Sequence, residues 1–225
     1  MRLLNSDSLE LFEFFNENIP QYVILSHTWG QDEVTYQDIQ TPEKAKRKKG
    51  FRKLEGCCKK AQSDGFQWVW IDTCCIDKSS SAELSEAINS MYQWYMKSQI
   101  CYAYMEDVHS EEDFSWSRWF KRGWTLQELI APSIVEFYTE GWVEIGTKMS
   151  LTEDISRITA IDESVLKDNS QMVKFNIASR MSWASQRETT RIEDQHTALW
   201  GCLESTCHCS TVKGVEHSTD CKKRP

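Results

Sequence analysis

The chain lacks every short signature that would name a chemistry at once. It has no G-x-G-x-x-G, no P-loop, no G-x-S-x-G and no H-E-x-x-H. Its "TCC" (73–75) is not a C-x-x-C redox pair. It also lacks excess positive charge. Lys and Arg total 26 against 34 Asp and Glu, giving a net charge of −8, which argues against general nucleic-acid or anionic-membrane binding. The basic run "KAKRKKG" (44–50) reads as a solvated loop entering a helix rather than a nucleic-acid patch. No apolar run approaches the length of a membrane span. The start, "MRLLNSDSLELFEFF", has no charged-then-apolar signal design. A cytoplasmic protein with no nucleic-acid and no membrane partner is the expectation. There the nine cysteines stay reduced, and Cys57, Cys58, Cys74, Cys75 and Cys101, set in apolar patterns, pack as small hydrophobes.

What is present is an ordinary globular composition with ten tryptophans in 225 residues. Those indoles bring large buried areas and N–H groups that need partners. "YVILSH" (22–27), "FQWVWID" (66–72), "ICYAYME" (100–106) and "IVEFYT" (134–139) read as strands, with "WVEIG" (142–146) as an edge strand or turn. Between them, apolar residues recur at helical spacing from Phe51 to Ser63, which Gly65 can end, and again through Leu84, Ala87, Ile88, Met91 and Tyr95 behind serine caps. Residues 28–50 read as a long loop. Further helices are expected at 151–160, at about 173–186 and from near Arg191. This alternation predicts an α/β fold: a doubly wound, mainly parallel sheet with helices on both faces. No repeat or interdomain linker interrupts it before residue 200.

In such a sheet, ligands bind outside the carboxyl ends of the strands. Three polar stretches fall there: Ser26-His27-Thr28-Trp29-Gly30, Asp72 with Asp77 in "IDTCCID", and the segment leading to Trp124, Gln127 and Glu128 in "RGWTLQELIAP". Each also has a structural reading. His27 can bond a backbone group, Asp72 can cap the next turn, and Glu128 can lie solvated in the first turn of a helix. Their joint placement at three strand ends is what raises the functional reading to parity.

The stretches "YVILSHTWG", "WVWIDTCCIDKSSSAELSEAINSMYQWY", "RGWTLQELIAP" and "RMSWASQRETTRIEDQ", together with the opening "MRLLN", resemble the successive motifs of the fungal heterokaryon-incompatibility (HET) domain. The resemblance runs from residue 1 to 195. It implies an effector module of fungal non-self recognition that triggers programmed cell death. "WTLQEL" is more distantly similar to the W-C-x-x-E-L helix start of Toll/interleukin-receptor (TIR) domains, with Thr125 where those often carry cysteine. That likeness implies a TIR-like or flavodoxin-like fold and Glu128 as the catalytic residue of an NAD glycohydrolase. The nicotinamide–ribose bond would cleave through an oxocarbenium-like state stabilised by the carboxylate. Ser26, His27, Trp29, Gly30, Asp72, Asp77, Trp124 and Gln127 would bind the substrate. Trp29 or Trp124 would stack on a flat ring, and His27 or Asp72 would orient the ribose or a water. NAD enters as a substrate; no cofactor and no metal are expected. The other class of reading is a non-enzymatic module that signals by self-association or through a partner protein, with the polar motifs only holding the fold.

After Gln195 the family pattern stops. Residues 196–225 carry Cys202, Cys207, Cys209, Cys221, His208 and His217, but C-x-C with scattered histidines fits no common zinc pattern. The segment is poor in periodic apolar residues after Leu203 and is expected to be disordered. The family's usual continuation contains a stretch like M-P-L-L-Y-G-E-G. "TCHCSTVKG" (206–214), written ACA TGC CAC TGC TCT ACG GTG AAG GGA and read from its third base, gives that octapeptide. A frame-shifted tail, and with it an inactive truncated paralogue, is therefore a further expectation.

Overall fold

The computed structural model describes residues 1–15 and 18–189. The tail 196–225, with its cysteines and histidines, and the helix expected near Arg191 lie outside the described residues. Seven strands form one sheet: β1 (Arg2–Asn5), β2 (Leu11–Glu13), β3 (Val23–His27), β4 (Trp68–Trp70), β5 (Ile100–Tyr104), β6 (Val135–Tyr138) and β7 (Glu144–Thr147). Their order is β2-β1-β4-β3-β5-β6-β7. The four inner strands β4, β3, β5 and β6 are parallel, and antiparallel pairs close both edges. Parallel strands buried on both faces read as continuous apolar runs. Accordingly all five residues of β3 are buried.

Helices α1 (Tyr36–Ile39), α2 (Pro42–Ala45) and α3 (Phe51–Ser63) lie between β3 and β4. Then come α4 (Asp72–Cys75) and α5 (Ser81–Lys97) before β5, and α6 (Thr125–Ile130) before β6. The chain continues through α7 (Thr152–Thr159), α8 (Glu163–Lys167) and α9 (Ile177–Ser182). The local reasons are in the sequence. Leu54, Cys57, Cys58 and Ala61 make the buried stripe of α3, and Gly65 at φ +83° turns the chain out of it. Ser80 caps α5 by accepting from the Glu83 N–H.

Successive strand residues point to opposite faces. Ser26 points toward α6, where Glu128 sits, while His27 points toward Glu33, the partner of Lys53 on α3. The sheet is therefore covered on both sides, as a doubly wound fold requires. Counting the inner strands along the chain, their order across the sheet is second, first, third, fourth. The connections diverge between β3 and β5, which is where ligands sit in such folds.

Several expectations need correction. The stretch 28–50 holds two short helices rather than one long loop, because Thr35 caps α1 with a capping box and Pro42 opens α2. "RLLN" and "LFE" form an N-terminal hairpin that extends the sheet beside β4, with Trp68 held edge-on by Phe12 and Phe14. The helix expected over about 173–186 is shortened to α9, preceded by a 3₁₀ turn over Asn169–Lys174. The five cysteines named above are buried free thiols. Among the described residues, no helix is long and apolar enough to cross a membrane.

Candidate functional site

The carboxyl ends of β3, β4 and β5 carry two polar networks, one on each face of β3. The first is sealed. Glu128 lies on the first turns of α6 but is only 7% exposed, so it is not a solvated helix residue. Its carboxyl group bonds the Ser26 hydroxyl, and the Trp119 indole N–H donates to the same hydroxyl at 2.8 Å. Ser26 and Trp119 are wholly buried. Burial pushes the Glu128 carboxyl up to about 8, and the nearby charge of Asp72 adds to this; the Ser26 and Tyr95 hydroxyls pull the other way. At neutral pH the group is mostly protonated. Tyr95, on α5, also donates to the Leu25 carbonyl at 3.2 Å and roofs this half.

The helix that bears Glu128 is clamped at both ends. At its start, the Thr125 hydroxyl bonds the carbonyls of Trp119 and Arg122. Buried Arg187 donates to the Arg122 carbonyl at 3.0 Å and to the Thr125 hydroxyl at 2.9 Å. Residues 187–189 lie alongside 121–123, with Gly123 N–H donating to the Glu188 carbonyl at 2.8 Å. A β-carbon at Gly123 would press on the Thr189 methyl, so a larger residue there would make Thr189 shift. At the other end, buried Lys148 donates to the carbonyls of Leu129 and Pro132. Burial without a carboxylate partner pulls its ammonium down to about 8.

The second network is open and charged. His27 Nε2 lies 3.0 Å from Asp72 Oδ1, and the Trp29 indole N–H donates to Asp72 Oδ2 at 2.8 Å. Asp72 opens α4 but does not cap it; its side chain turns to His27 and Trp29 instead. Burial raises the Asp72 carboxyl, yet Lys78, His27 and Trp29 together outweigh that and hold it well below the usual carboxylate range. His27 is buried, and its other nitrogen, Nδ1, has no hydrogen-bond partner, with Glu33 3.9 Å away. With Asp72 ionised and accepting from Nε2–H, a neutral His27 carries its free lone pair on Nδ1. Glu33 itself accepts from Gly30 N–H and Lys53 Nζ, both at 2.6 Å. Arg118 ties the loops after β3 and β5 together through Thr28, at 3.1 Å, and Glu106, at 2.6 Å.

The candidates thus fall into two groups, Ser26 with Glu128 on one face of β3 and His27, Trp29, Gly30 and Asp72 on the other, linked by the field of Asp72 on Glu128. Three other candidates do not join them. Asp77 lies apart: its carboxylate accepts from Ser79 and Gln37, and its N–H donates to Glu83, the partner of Arg2, so it shapes a turn beside the cluster. Trp124 is the N-cap residue of α6 and is only partly buried; no bond joins it to the cluster. Gln127 is buried, but its amide nitrogen finds no partner, and no bond joins it to the cluster either. Adjacent helix residues point about 100° apart, so Gln127 does not share the direction of Glu128. Sequence reasoning missed Trp119, Tyr95, Lys78, Glu33, Lys53, Glu106, Arg118 and Arg187. Only the aromatic crowding of "FSWSRWFKRGW" signalled any of them.

Two cavities, of ≈ 230 and ≈ 440 Å³, lie elsewhere. The larger is lined by Tyr22, Trp94 and Lys97 at the amino end of β3. Among the described residues, no group of three or more His, Cys, Asp or Glu is placed to hold a metal.

Residues 22–117 match the family model for heterokaryon incompatibility protein (HET). The chain is similar to "Vegetative incompatibility protein HET-E-1" of Podospora anserina, with 45% identity over 199 residues. That alignment covers 83% of this chain and 14% of the relative, so the chain spans about a seventh of that protein's length. No solved structure matches the chain.

Proposed function

This chain carries a HET domain, and we propose that it serves as an effector module of fungal vegetative incompatibility, triggering cell death after non-self recognition. The similarity to HET-E-1, a protein named for that process, carries the proposal. The chemistry we propose is hydrolysis of NAD at the nicotinamide–ribose bond. Water adds to the ribose carbon, nicotinamide leaves with the bonding pair, and ADP-ribose and a proton remain.

Glu128 is the group to stabilise the positive charge on the ribose. In the closed site it is mostly neutral. A cationic substrate nearby favours its ionised form, so the charge would develop when the substrate arrives. His27, held through Nε2 by Asp72, lies on the other face of β3 with Nδ1 buried, so its use as the base toward the attacking water would require the strand ends to open around the substrate. A geometric observation favours a second reading: Glu128 is sealed by Ser26 and Trp119, as a purely structural acceptor would be. In that reading the domain signals by self-association or through a partner. Incubating the purified chain with NAD and following nicotinamide separates the two readings. Release that Glu128→Gln abolishes supports hydrolysis; no release from the folded wild-type chain overturns it.

A further inference from the structure

Trp29 is 45% exposed, an unusual position for a large aromatic side chain beside a buried polar network. Its indole edge is fixed, because the N–H donates to Asp72 at 2.8 Å. Its face carries the Lys78 ammonium 3.4 Å from the ring centroid. That ammonium is also 3.6 Å from Asp72 Oδ2. A cation is therefore already seated where the negative face of an indole and an ionised carboxylate converge. Both attract positive charge, and they add.

Lys78 is the less fixed partner of Asp72. Asp72 is held in place by His27 and Trp29, whereas Lys78 reaches in on a flexible stem from the exposed side. A planar cation offered to the same ring face would gain stacking area that an ammonium cannot supply. We propose that the Trp29 face and the Asp72 carboxylate form a seat for a planar cationic ring, with Lys78 as its resident, displaceable occupant. This deepens the hydrolase reading and rests on it. The pyridinium of oxidised NAD is such a ring; the dihydropyridine of the reduced form is uncharged and gains no charge attraction from the seat. Lys78 thereby becomes a specificity-determining residue that sets a threshold for occupancy.

The test uses 1-methylnicotinamide, methylated on the ring nitrogen and so a permanent cation with no ribose to lose, against neutral nicotinamide. Binding is followed by titration calorimetry in every variant and, where Trp29 is kept, also by its indole N–H resonance, assigned by its loss in Trp29→Phe. The cation should bind roughly three- to tenfold more tightly than the neutral ring. Lys78→Met should tighten the cation further and leave nicotinamide unchanged, and Trp29→Leu should erase the preference. Thermal melts establish that both variants, at exposed or partly exposed positions, remain folded. Equal binding of the two probes, or a Lys78→Met variant that does not gain affinity for the cation, overturns the seat. Nicotinamide release from NAD is measured on the same proteins. Hydrolysis without cation preference removes the seat and leaves the hydrolase; cation preference without hydrolysis does the reverse.

Discussion

Ser26 and His27 are neighbours on one strand, yet their surroundings have opposite chemistry. The Ser26 side is dry: a tryptophan, a tyrosine and a neutral carboxyl group close around the hydroxyl. The His27 side is the wet one only in being charged and in reaching the surface at Trp29: Asp72, Glu33, Lys53, Lys78 and Arg118 form ion pairs or charged hydrogen bonds there. The pleat alone makes this split, because a strand alternates faces at every residue. Its consequence is that two carboxyl groups close enough to feel each other are driven apart. Asp72 is ionised over the whole neutral range, while Glu128 holds its proton to about pH 8. Carboxyl pairs pushed apart in this way can divide acid and base roles between them.

The largest way to break this comparison is to remove charge from the dry side. Glu128→Gln keeps shape and the bond to Ser26 but cannot ionise. Any nicotinamide release from NAD is expected to fall at least about 100-fold, the usual scale for losing one stabilising group in a closed site. Full activity in the folded variant would mean that the dry side is structural only.

The same contrast sets the pH dependence of stability. The Glu128 carboxyl is raised from 4.5 to about 8 on folding. The folded state therefore holds a proton that the unfolded state has released across that window. Its contribution to stability is full below pH 4.5 and is lost as pH rises toward 8, by about 1.4 kcal/mol for each unit. Denaturant unfolding at several pH values should show this slope in the wild type and a flatter profile in Glu128→Gln. Asp72, lowered on folding, acts in the opposite sense and loses its contribution only in strong acid. A wild-type profile that is flat from pH 5 to 8 would show that Glu128 is not buried in solution.

A smaller but still substantial effect is expected from unfastening the dry side. Arg187 is buried and holds the start of α6 through Arg122 and Thr125. Arg187→Ala removes the donor to the Thr125 hydroxyl and one of the two donors to the Arg122 carbonyl, and should cost about 1–3 kcal/mol. Hydrogen exchange should quicken over residues 119–130. Unchanged exchange there would mean that the 187–189 segment does not brace the Glu128 helix.

The parts of this arrangement differ in how far the chain announces them. The inner strands were legible because burial on both faces leaves unbroken apolar runs such as "YVILSH". Helix α3 was legible because its stripe and Gly65 obey local rules. The N-terminal hairpin was not, because "RLLN" and "LFE" are too short to show alternation. Ser26, His27, Asp72 and Glu128 could be placed at strand ends by topology. Which of them would be sealed and which open could not, since that depends on Trp119 and Arg187, 93 and 62 residues away from the groups they bond. Nor could Asp77 be separated from Asp72. Both follow β4 within a few residues, and only the three-dimensional path shows that one turns inward and the other toward Ser79.

That last pair gives the mildest test, at the boundary of the wet side. The Asp77 carboxylate accepts the Ser79 N–H at 3.0 Å and its hydroxyl at 2.6 Å, and these bonds hold its charged form, keeping the carboxyl below the usual range. Asp77→Asn keeps an acceptor for the turn and removes the charge. Only a small loss of stability against denaturant is expected, as for a local turn. NAD hydrolysis and cation binding at Trp29 should be unaltered, because no bond connects Asp77 to His27, Trp29 or Asp72. If Asp77→Asn instead weakened substrate binding as strongly as a change at Asp72, the wet side would extend past Lys78 to the start of α5. The boundary drawn between the two aspartates would then be wrong.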